Sequence, residues 1–518
     1  GHRARRPGAG PVSGAAAAAR PRAGVRPPGR LVTLFLADMW ERFGFYGLQA
    51  ILVLYASAPE SRGGLGLSTG DAAALFGAWI GLLFMLSLPG GWVGDRLLGP
   101  RRAMLLGGGL IVAGHAGLAV PVEGMAAVGL GLLAVGTGLF KPNQQAMLNM
   151  LLGADPARRE STISLFYVGI QASALVAPLV TGFLGERVDW RLGFAAGAVA
   201  MAVGVAHLAA GTRSFGEVGA RPGRPATRAE LRPVLRRTGA LLAAVAGLVA
   251  VGLGTGVLTP TLAIVLVGLL TLVLPVLAYV RLRRHPDLGP GDRARLGAFR
   301  WVFLGSALFW MMVGQDGSVL TLFARDSTDR EVLGFSVPAS WLQSATPLFI
   351  LVLAPVFAWG LSRLRGRAGV AGKFSVGLLL AGTSFLLMAA AAALAAGGDR
   401  VSPLWLLIVY LMHACGELIV AAVGISAAAD VLPTAFMGHT LGLLWLFAAL
   451  GGGLGSQIVR LTEVLPDAIY FLSLGLVTTA AGVLYAARRE AITAGLSAGR
   501  PAEESVPTGG SSAWQPAR

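Results

Sequence analysis

The chain has 518 residues, of which 55% are hydrophobic, 13% are charged and 74 are glycine, and its formal charge is +16. Soluble domains carry roughly 25% charged residues, so this composition excludes an ordinary cytosolic protein. Apolar stretches of about 20 residues recur, each long enough to cross a hydrocarbon core of about 30 Å as a helix. We therefore predict an all-α membrane protein.

Fourteen stretches meet this criterion, which predicts a multi-pass protein with an even number of spans. The predicted spans cover residues 31–57, 71–95, 102–121, 124–152, 161–185, 191–212, 238–256, 258–281, 301–324, 338–361, 373–397, 402–429, 436–459 and 466–487.

The 42 Lys and Arg residues are divided unevenly between the two sides of this predicted membrane. With the amino terminus in the cytoplasm, cytoplasmic segments hold 33 of them and external segments hold seven. Cytoplasmic loops retain Lys and Arg during insertion. The asymmetry predicts both termini on the cytoplasmic side of the cell inner membrane, and it explains the net charge without a nucleic-acid partner.

An internal repeat relates the second and tenth spans. Trp92 and Arg96, with the Leu and Gly that follow, recur 267 residues later at Trp359 and Arg363. A chance match between two basic loops is the alternative. The first of these loops resembles the motif shared by the major facilitator superfamily, in which two related halves rock about a central site.

The repeat divides the chain into five predicted segments, with spans seven and eight inserted as a pair between two six-helix bundles. The predicted segments are a basic head that cannot pack a core and is disordered (1–30), an N-terminal bundle (31–212), cytoplasmic linkers with the inserted pair (213–300), a C-terminal bundle (301–487) and a cytoplasmic tail (488–518).

Charged residues inside the first span form a candidate site, because a buried charge costs several kcal/mol unless it is paired or hydrated. Asp38 and Arg42 are one helical turn apart, Glu41 lies beside them, and Tyr46 and Gln49 continue the same polar stripe. The stripe predicts a binding or proton-coupling surface. A self-neutralising cluster that only locks helices together is the alternative.

Lys141 lies in the fourth span before Pro142, which removes a backbone donor and favours a kink. Only two lysines occur against forty arginines. A lysine kept in mid-membrane suggests a need for a compact ammonium that can exchange a proton. A structural counter-ion for Glu41 is the alternative.

Two acids mark the second half. Glu417 in span twelve is predicted to carry protons or bind an amine, while Asp316 in span nine is equally compatible with a structural role. Trp310 and Trp445 are candidates to line a cavity, although a packed tryptophan is more common. The histidines in or near spans, His413 among them, are interpreted as polar packing residues. With no metal cluster, phosphate loop or nucleophile elbow in the sequence, we expect neither a cofactor nor an enzyme.

Taken together, these motifs resemble the proton-dependent oligopeptide transporter family, the peptide transporter branch of the major facilitator superfamily, from about residue 31 to 487. The resemblance rests on ERFGFYG at 41–47, KPN at 141–143, FYVGIQ at 166–171, APL at 177–179, FW at 309–310, VPASWLQS at 337–344, PLF at 347–349, APVFAW at 354–359, GEL at 416–418 and GLLW at 442–445.

The resemblance implies the major facilitator fold with fourteen helices, and symport of di- and tripeptides with protons. It further implies that Arg42 and Lys141 hold the substrate carboxylate, that Glu417 holds its amino group, and that Glu41 couples to Lys141. Trp310 and Trp445 would form side-chain pockets. Cations in one bundle and an anion in the other suit a zwitterion that bridges them.

Several positions depart from the family pattern. The family usually has Glu at Asp38, Arg at Gln49, Asn at Gln171, Glu at Gly314 and Asn at Thr346. The acid missing at Gly314 is the family's usual proton-linked carboxylate in the second bundle. Asp316 is not expected to replace it, because two residues rotate an ideal helix position by about 200°.

The leading hypothesis is therefore a proton-coupled importer of small peptides, with Asp38, Glu41, Arg42, Lys141 and Glu417 in proton coupling. Two alternatives stay open. One is a divergent transporter of another small carboxylate-bearing solute or drug-like compound, and the other is a peptide-binding sensor without transport. The expected partners are peptide, protons and the lipid bilayer; the sequence does not define an oligomeric state.

Overall fold

A computed structural model of the chain describes residues 29–152, 156–363, 369–432 and 437–497. Nearly all of the predicted head, residues 364–367 of the repeat and the end of the predicted tail lie outside these residues. The described chain is almost entirely helical. Its N-terminal helices are α1 (Gly29–Ser57), α2 (Thr69–Val93), α3 (Pro100–Ala119), α4 (Met125–Leu152), α5 (Pro156–Arg187) and α6 (Trp190–Gly211).

The remaining helices continue the alternation of long apolar segments and short connections. They are α7 (Arg228–Gly254), α8 (Pro260–Arg283), α9 (Pro290–Val313), α10 (Val319–Asp326), α11 (Ala345–Arg363), α12 (Val370–Ala395), α13 (Leu404–Asp430), α14 (Met437–Ile458), α15 (Asp467–Ala487) and α16 (Arg489–Ser497). Strands β1 (Glu331–Val332) and β2 (Phe335–Ser336) form a small hairpin between α10 and α11.

Helices α1 to α6 form the N-terminal bundle, in which α1 packs against α5 and α6, and α4 packs against α2 and α3. Small residues allow close approach between these helices. At Gly197 on α6, an added Cβ would lie 2.7 Å from the ring of His115 on α3. Any residue larger than glycine at position 197 would therefore clash with the buried His115 ring.

Helices α9 to α15 form the C-terminal bundle, where α12 packs against α13 and α15, and α9 packs against α14. The ninth span is interrupted: α9 ends at Val313, residues 314–317 form a 3-10 turn, and α10 begins at Val319. The α-helix has ended before Asp316, so the ideal rotation of an α-helix does not apply at this residue.

The inserted pair differs in its packing. Helix α8 packs against both α2 and α14, whereas α7, every residue of which the structure describes, has no buried residue. The interface between α2 and α14 is rich in glycine: a Cβ on Gly77 would lie 2.9 Å from the carbonyl oxygen of Gly452. Gly453 meets α8 in the same way, because a Cβ added there would lie 3.2 Å from the carbonyl oxygen of Gly268. The two bundles thus meet backbone to backbone here.

Polar contacts join the bundles at the end formed by the last turns of α1, α5, α10 and α14, which we call the closed end. Glu186 on α5 accepts hydrogen bonds from the backbone N–H groups of Ala339 (2.8 Å) and Ser340 (2.9 Å) in the turn before α11. Arg460 pairs with Asp71 at 2.7 Å. These contacts seal the end that the charge asymmetry predicts to be external.

Among the described residues, thirteen helical segments are long and apolar enough to cross a membrane. Helix α1 has 29 residues and is the fourteenth, although its charged cluster lowers its hydropathy. The helices agree with the predicted spans apart from their ends and the break at 314–317 in the ninth span. For example, α9 begins at Pro290 and not near residue 301, because Pro at the first position and Asp292 cap a start that extends beyond the apolar run.

Candidate functional site

The charged stripe on α1 is internally paired. Arg42 donates two hydrogen bonds to the Glu41 carboxylate, Nε to Oε2 and Nη2 to Oε1, both at 2.6 Å. Glu41 is 1% exposed and Arg42 is 9% exposed. The guanidinium carbon also lies 4.6 Å from the Phe45 ring centroid and 5.9 Å from that of Tyr46. Such a bidentate pair keeps a planar cation in a fixed orientation at the cleft.

Lys141 on α4 reaches across to α1 and pairs with Asp38, with 2.6 Å between Nζ and Oδ1. The resemblance implied coupling to Glu41, whereas in this structure Glu41 is bonded to Arg42. The Lys141 side chain keeps 25% of its surface exposed, and that of Asp38 keeps 3%. The ammonium is therefore the solvent-facing member of the pair and has donors left for a ligand.

Lys141 is positioned by its local helix geometry. The next residue, Pro142, lies inside α4. Asn143 donates from Nδ2 to Gly90 O on α2 (3.0 Å) and to Leu139 O (2.7 Å). Pro142 leaves the carbonyl of Gly138 without its helical N–H donor, and the second of these bonds goes to the next carbonyl, that of Leu139. Asn143 thus ties this part of α4 to α2.

Three candidate residues of the second bundle lie on α9, α13 and α14. Glu417 on α13 and Trp310 on α9 are partly exposed, and Trp445 on α14 is 42% exposed. Trp445 stacks on Phe84 of α2, with 5.9 Å between ring centroids and 10° between planes. An aromatic contact therefore joins the two bundles at this candidate pocket.

Glu417 faces the first bundle. It interacts electrostatically with Tyr46 on α1 and with Tyr167 on α5, so its carboxylate lies within range of both helices. Gln171 follows Tyr167 by about one turn of α5 and is buried. Tyr167 is not among the candidates predicted from the sequence, where it forms only part of the fifth-helix motif.

The remaining candidates occupy different positions. Gln49 is partly exposed on α1, about two turns beyond the paired charges. Thr346 on α11 lies with its Oγ1 3.5 Å from Oδ2 of Asp316, at the long limit of a hydrogen bond. The structure thus associates Thr346 with Asp316, not with the Lys141 pair.

A polar chain inside the second bundle is not predicted as a site by the sequence. Asp316 Oδ1 lies 2.7 Å from Nδ1 of His413, and Nε2 of His413 lies 2.9 Å from Ser384 Oγ. From the sequence, Asp316 is equally compatible with a structural role, and His413 is interpreted as a packing residue. The signal available in the sequence is the spacing of His413 four residues before Glu417, which puts both on one face of α13.

Known proteins resemble the chain over most of its length. It is 34% identical over 458 residues to the uncharacterized transporter YclF of Bacillus subtilis, covering 88% of this chain and 92% of that protein. It is 31% identical over 468 residues to the di-/tripeptide transporter of Lactococcus lactis subsp. cremoris, covering 88% and 94%. A crystal structure of a POT family transporter in complex with a thioalcohol conjugated peptide superposes with a TM-score of 0.85 at 30% identity, covering 89% and 96%.

Two six-helix bundles around a charged cleft, sealed at one end, define a secondary transporter of the major facilitator fold. The POT family model matches residues 101–229 and 290–473. The chain belongs to this family, the proton-dependent oligopeptide transporters. It is a multi-pass membrane protein, and the predicted fold class and family are confirmed.

Proposed function

We propose that the protein imports di- and tripeptides across the cell membrane together with protons, by alternating access of the cleft. The observation that carries this proposal is the distribution of charge across the cleft. Lys141 and Arg42 lie on the N-terminal bundle, and Glu417 on the C-terminal bundle faces them through Tyr46 and Tyr167. A zwitterionic peptide has charges of both signs at its ends and suits such an arrangement.

Lys141 is the first candidate ligand for the peptide carboxylate. Its side chain is 25% exposed, and the ammonium has three N–H donors, of which the bond to Asp38 uses one. Arg42 is bonded to both carboxylate oxygens of Glu41 at 2.6 Å, which makes the pair neutral, so Arg42 contributes through its contact with Tyr46 and through the N–H donors that Glu41 leaves over. Glu417 accepts the peptide amino group, and Trp310 and Trp445 contact the side chains.

Gln49 and Gln171 extend the polar lining of the N-terminal side, and Thr346 that of the C-terminal side. These side chains are uncharged, so they can select by hydrogen bonding but cannot replace the charged contacts. Proton coupling on the N-terminal side is assigned to Asp38, Glu41, Arg42 and Lys141, and Glu417 couples on the other side.

Alternating access requires that one end is sealed while the other is open. The hydrogen bonds of Glu186 and the Arg460–Asp71 ion pair seal the closed end. Lys141, Glu417 and Trp445 keep exposed surface, and we infer that solvent reaches them from the end opposite to the closed end. With both termini in the cytoplasm, this is the inward-facing conformation.

Reconstituted protein tests the proposal directly. Proteoliposomes that are alkaline or negative inside should accumulate a labelled dipeptide above its external concentration. A transported proton contributes about 1.4 kcal/mol per pH unit and about 2.3 kcal/mol per 100 mV. Unlabelled di- and tripeptides should compete with the label. Uphill uptake that is unchanged when both gradients are collapsed would reject proton coupling, and absence of competition would reject peptides as the substrate class.

A further inference from the structure

Three buried polar side chains form a continuous chain through the C-terminal bundle. His413 of α13 is 0% exposed, and its ring lies between Asp316 of the 3-10 turn and Ser384 of α12, at 2.7 Å and 2.9 Å. Asp316 is 7% exposed and Ser384 is fully buried. Two titratable groups in direct contact are thus held inside the bundle, where an unpaired charge is costly.

The hydrogen-bond geometry assigns the proton on Nε2 of His413. Ser384 Oγ lies 2.7 Å from Ala381 O as well as 2.9 Å from Nε2. Two oxygens at 2.7 Å need a hydrogen between them, and a hydroxyl has only one hydrogen to give. Ser384 therefore donates to Ala381 and accepts from His413, so Nε2 carries a hydrogen.

The other ring nitrogen also shares a proton. Nδ1 of His413 and Oδ1 of Asp316 are 2.7 Å apart, a distance that again needs a hydrogen between the atoms. Imidazole and carboxyl group together then hold two protons and have no net charge, whether written as imidazolium with carboxylate or as imidazole with carboxylic acid. The structure corresponds to the proton-loaded form of this pair.

Loss of one proton has a defined structural consequence. The pair gives up one proton on the side of Asp316, whose side chain keeps 11% of its surface exposed while that of His413 is fully buried; the remaining hydrogen lies between Nδ1 and the carboxylate, and the pair acquires a charge of −1. Nε2 is then an acceptor, so the Ser384 hydroxyl hydrogen turns from Ala381 O toward the ring. The hydroxyl can adopt either orientation without moving its oxygen, so the chain of three side chains has two proton-dependent states.

The groups around the pair connect it to the cleft. Glu417 lies one turn after His413 on α13 and interacts electrostatically with both His413 and Asp316. Tyr410, one turn before, interacts with Asp316, and Thr346 of α11 lies 3.5 Å from its Oδ2. Glu417 is the acidic member of these neighbours, so it is the group most affected by a change of charge on the pair.

We propose that Asp316 and His413 form the proton-binding site of the C-terminal bundle, and that its proton sets the charge around Glu417. Position 314 offers no carboxyl group for this purpose. The loaded, neutral pair leaves Glu417 free to act as an anion. The unloaded pair adds a second negative charge, which favours protonation of Glu417 and so releases a bound ammonium; this last step rests on the function proposed above.

Transport assays with Asp316→Asn and His413→Gln test the proposal in proteoliposomes. In both variants, gradient-driven dipeptide accumulation should fall by a factor of about ten or more. Peptide exchange, which needs no net proton movement, should be retained. Ser384→Ala should shift the pH profile of uptake.

The control is Tyr470→Phe, which removes a buried 2.6 Å hydrogen bond to Gln315 next to the site without removing a group that titrates at working pH. Normal accumulation with an unchanged pH profile in both variants would overturn the proposal.

A second measurement does not depend on the substrate. Purified wild type and the Asp316→Asn/His413→Gln double variant are titrated in weakly buffered detergent between about pH 5 and pH 9. The wild type should release one more proton per molecule. Equal release would overturn the proposal. If the wild type transports no peptide yet releases the extra proton, the peptide assignment fails and the proton site stands.

Discussion

Lys141 on α4 forms its ion pair with Asp38 on α1, at 2.6 Å between Nζ and Oδ1. Glu41, three residues after Asp38, is instead bonded to Arg42. The charged stripe of the N-terminal bundle therefore carries two separate pairs, and the first of them has the exposed, titratable cation. The predictions for this bundle follow from that division.

Lys141→Ala should abolish gradient-driven uptake while much of the fold survives. Asp38 then loses its ammonium partner, a loss that costs about 3–5 kcal/mol for a buried charge unless the carboxylate takes up a proton. Uptake and exchange are measured in proteoliposomes after size-exclusion chromatography has verified folding. Near-normal driven uptake by the Ala variant would make Lys141 purely structural.

Two companion variants separate the functions of Lys141. If it is only the counter-ion of Asp38, then Lys141→Arg, or Lys141→Ala combined with Asp38→Asn, should restore transport. If the ammonium must lose or exchange a proton, both should fail, because a guanidinium stays charged under working conditions. Exchange without net uptake in the Arg variant would support the second interpretation.

Gly314→Glu should change the pH dependence of uptake more than the affinity for peptide. A Cβ at position 314 meets no atom within 4 Å, so the longer side chain has room at its base. The new carboxyl group would lie two residues from Asp316 and would add a titrating group to the same turn. The check is a pH series of uptake and of peptide binding. Gly314→Gln, which has the same size without the charge, is the control, and identical profiles for the two variants would contradict the prediction.

Glu186→Gln should weaken the closed end. The carboxylate accepts bonds from Ala339 and Ser340, and hydrogen bonds to a charged group contribute about 1.5–3 kcal/mol. The population open at this end should therefore rise about tenfold or more, since about 1.4 kcal/mol is one factor of ten.

Spin labels at Val122 and Leu404, exposed residues of different bundles at this end, would report the change as longer distances in a Cys415→Ser background. Glu60→Gln is the matched control, an exposed acid at the same end for which the described residues provide no hydrogen bond across the bundles. Equal distance distributions for Glu186→Gln and wild type would show that the carboxylate does not hold this end.

Gly197→Ala should destabilise the N-terminal bundle. The added methyl would lie 2.7 Å from the His115 ring, and overpacking of this kind costs about 1–3 kcal/mol. The apparent melting temperature in detergent should fall by several degrees. Gly109→Ala on α3 meets no atom within 4 Å and should be neutral or slightly stabilising. Equal melting temperatures for the two variants would contradict the close packing at His115.

The architecture was predictable because hydropathy and charge asymmetry act at the scale of whole helices. Apolar runs of about 20 residues locate the spans with only their ends in error. Motifs such as those around Glu41 and Lys141 led to the family. The individual ion pairs were harder to predict from the sequence. Asp38 and Glu41 are both within about one turn of Arg42, and only the packing of α4 against α1 determines which of the two acids pairs with Lys141.

The Asp316 contacts could not be predicted because they depend on an irregular segment. From the sequence, a continuous α-helix is expected through residue 316, whereas residues 314–317 form a 3-10 turn. His413 lies 97 residues away in sequence. Without covariation between the two positions, periodicity on α13 shows only that His413 and Glu417 share a face.

The glycine-lined contact of α2 with α14 has a mechanical consequence. Where side chains of two helices interdigitate, they must separate before the helices can change their angle. At Gly77 and Gly452 there are no side chains, and the two backbones are in direct contact. Rotation of one half about this line can leave the two glycines in contact, whereas the stacked rings of Phe84 and Trp445 on the same helices must shift. Helix α8 contacts the glycines of both helices through Thr271, so a change of angle at this line also moves α8, and the polar bonds at the closed end add resistance to opening.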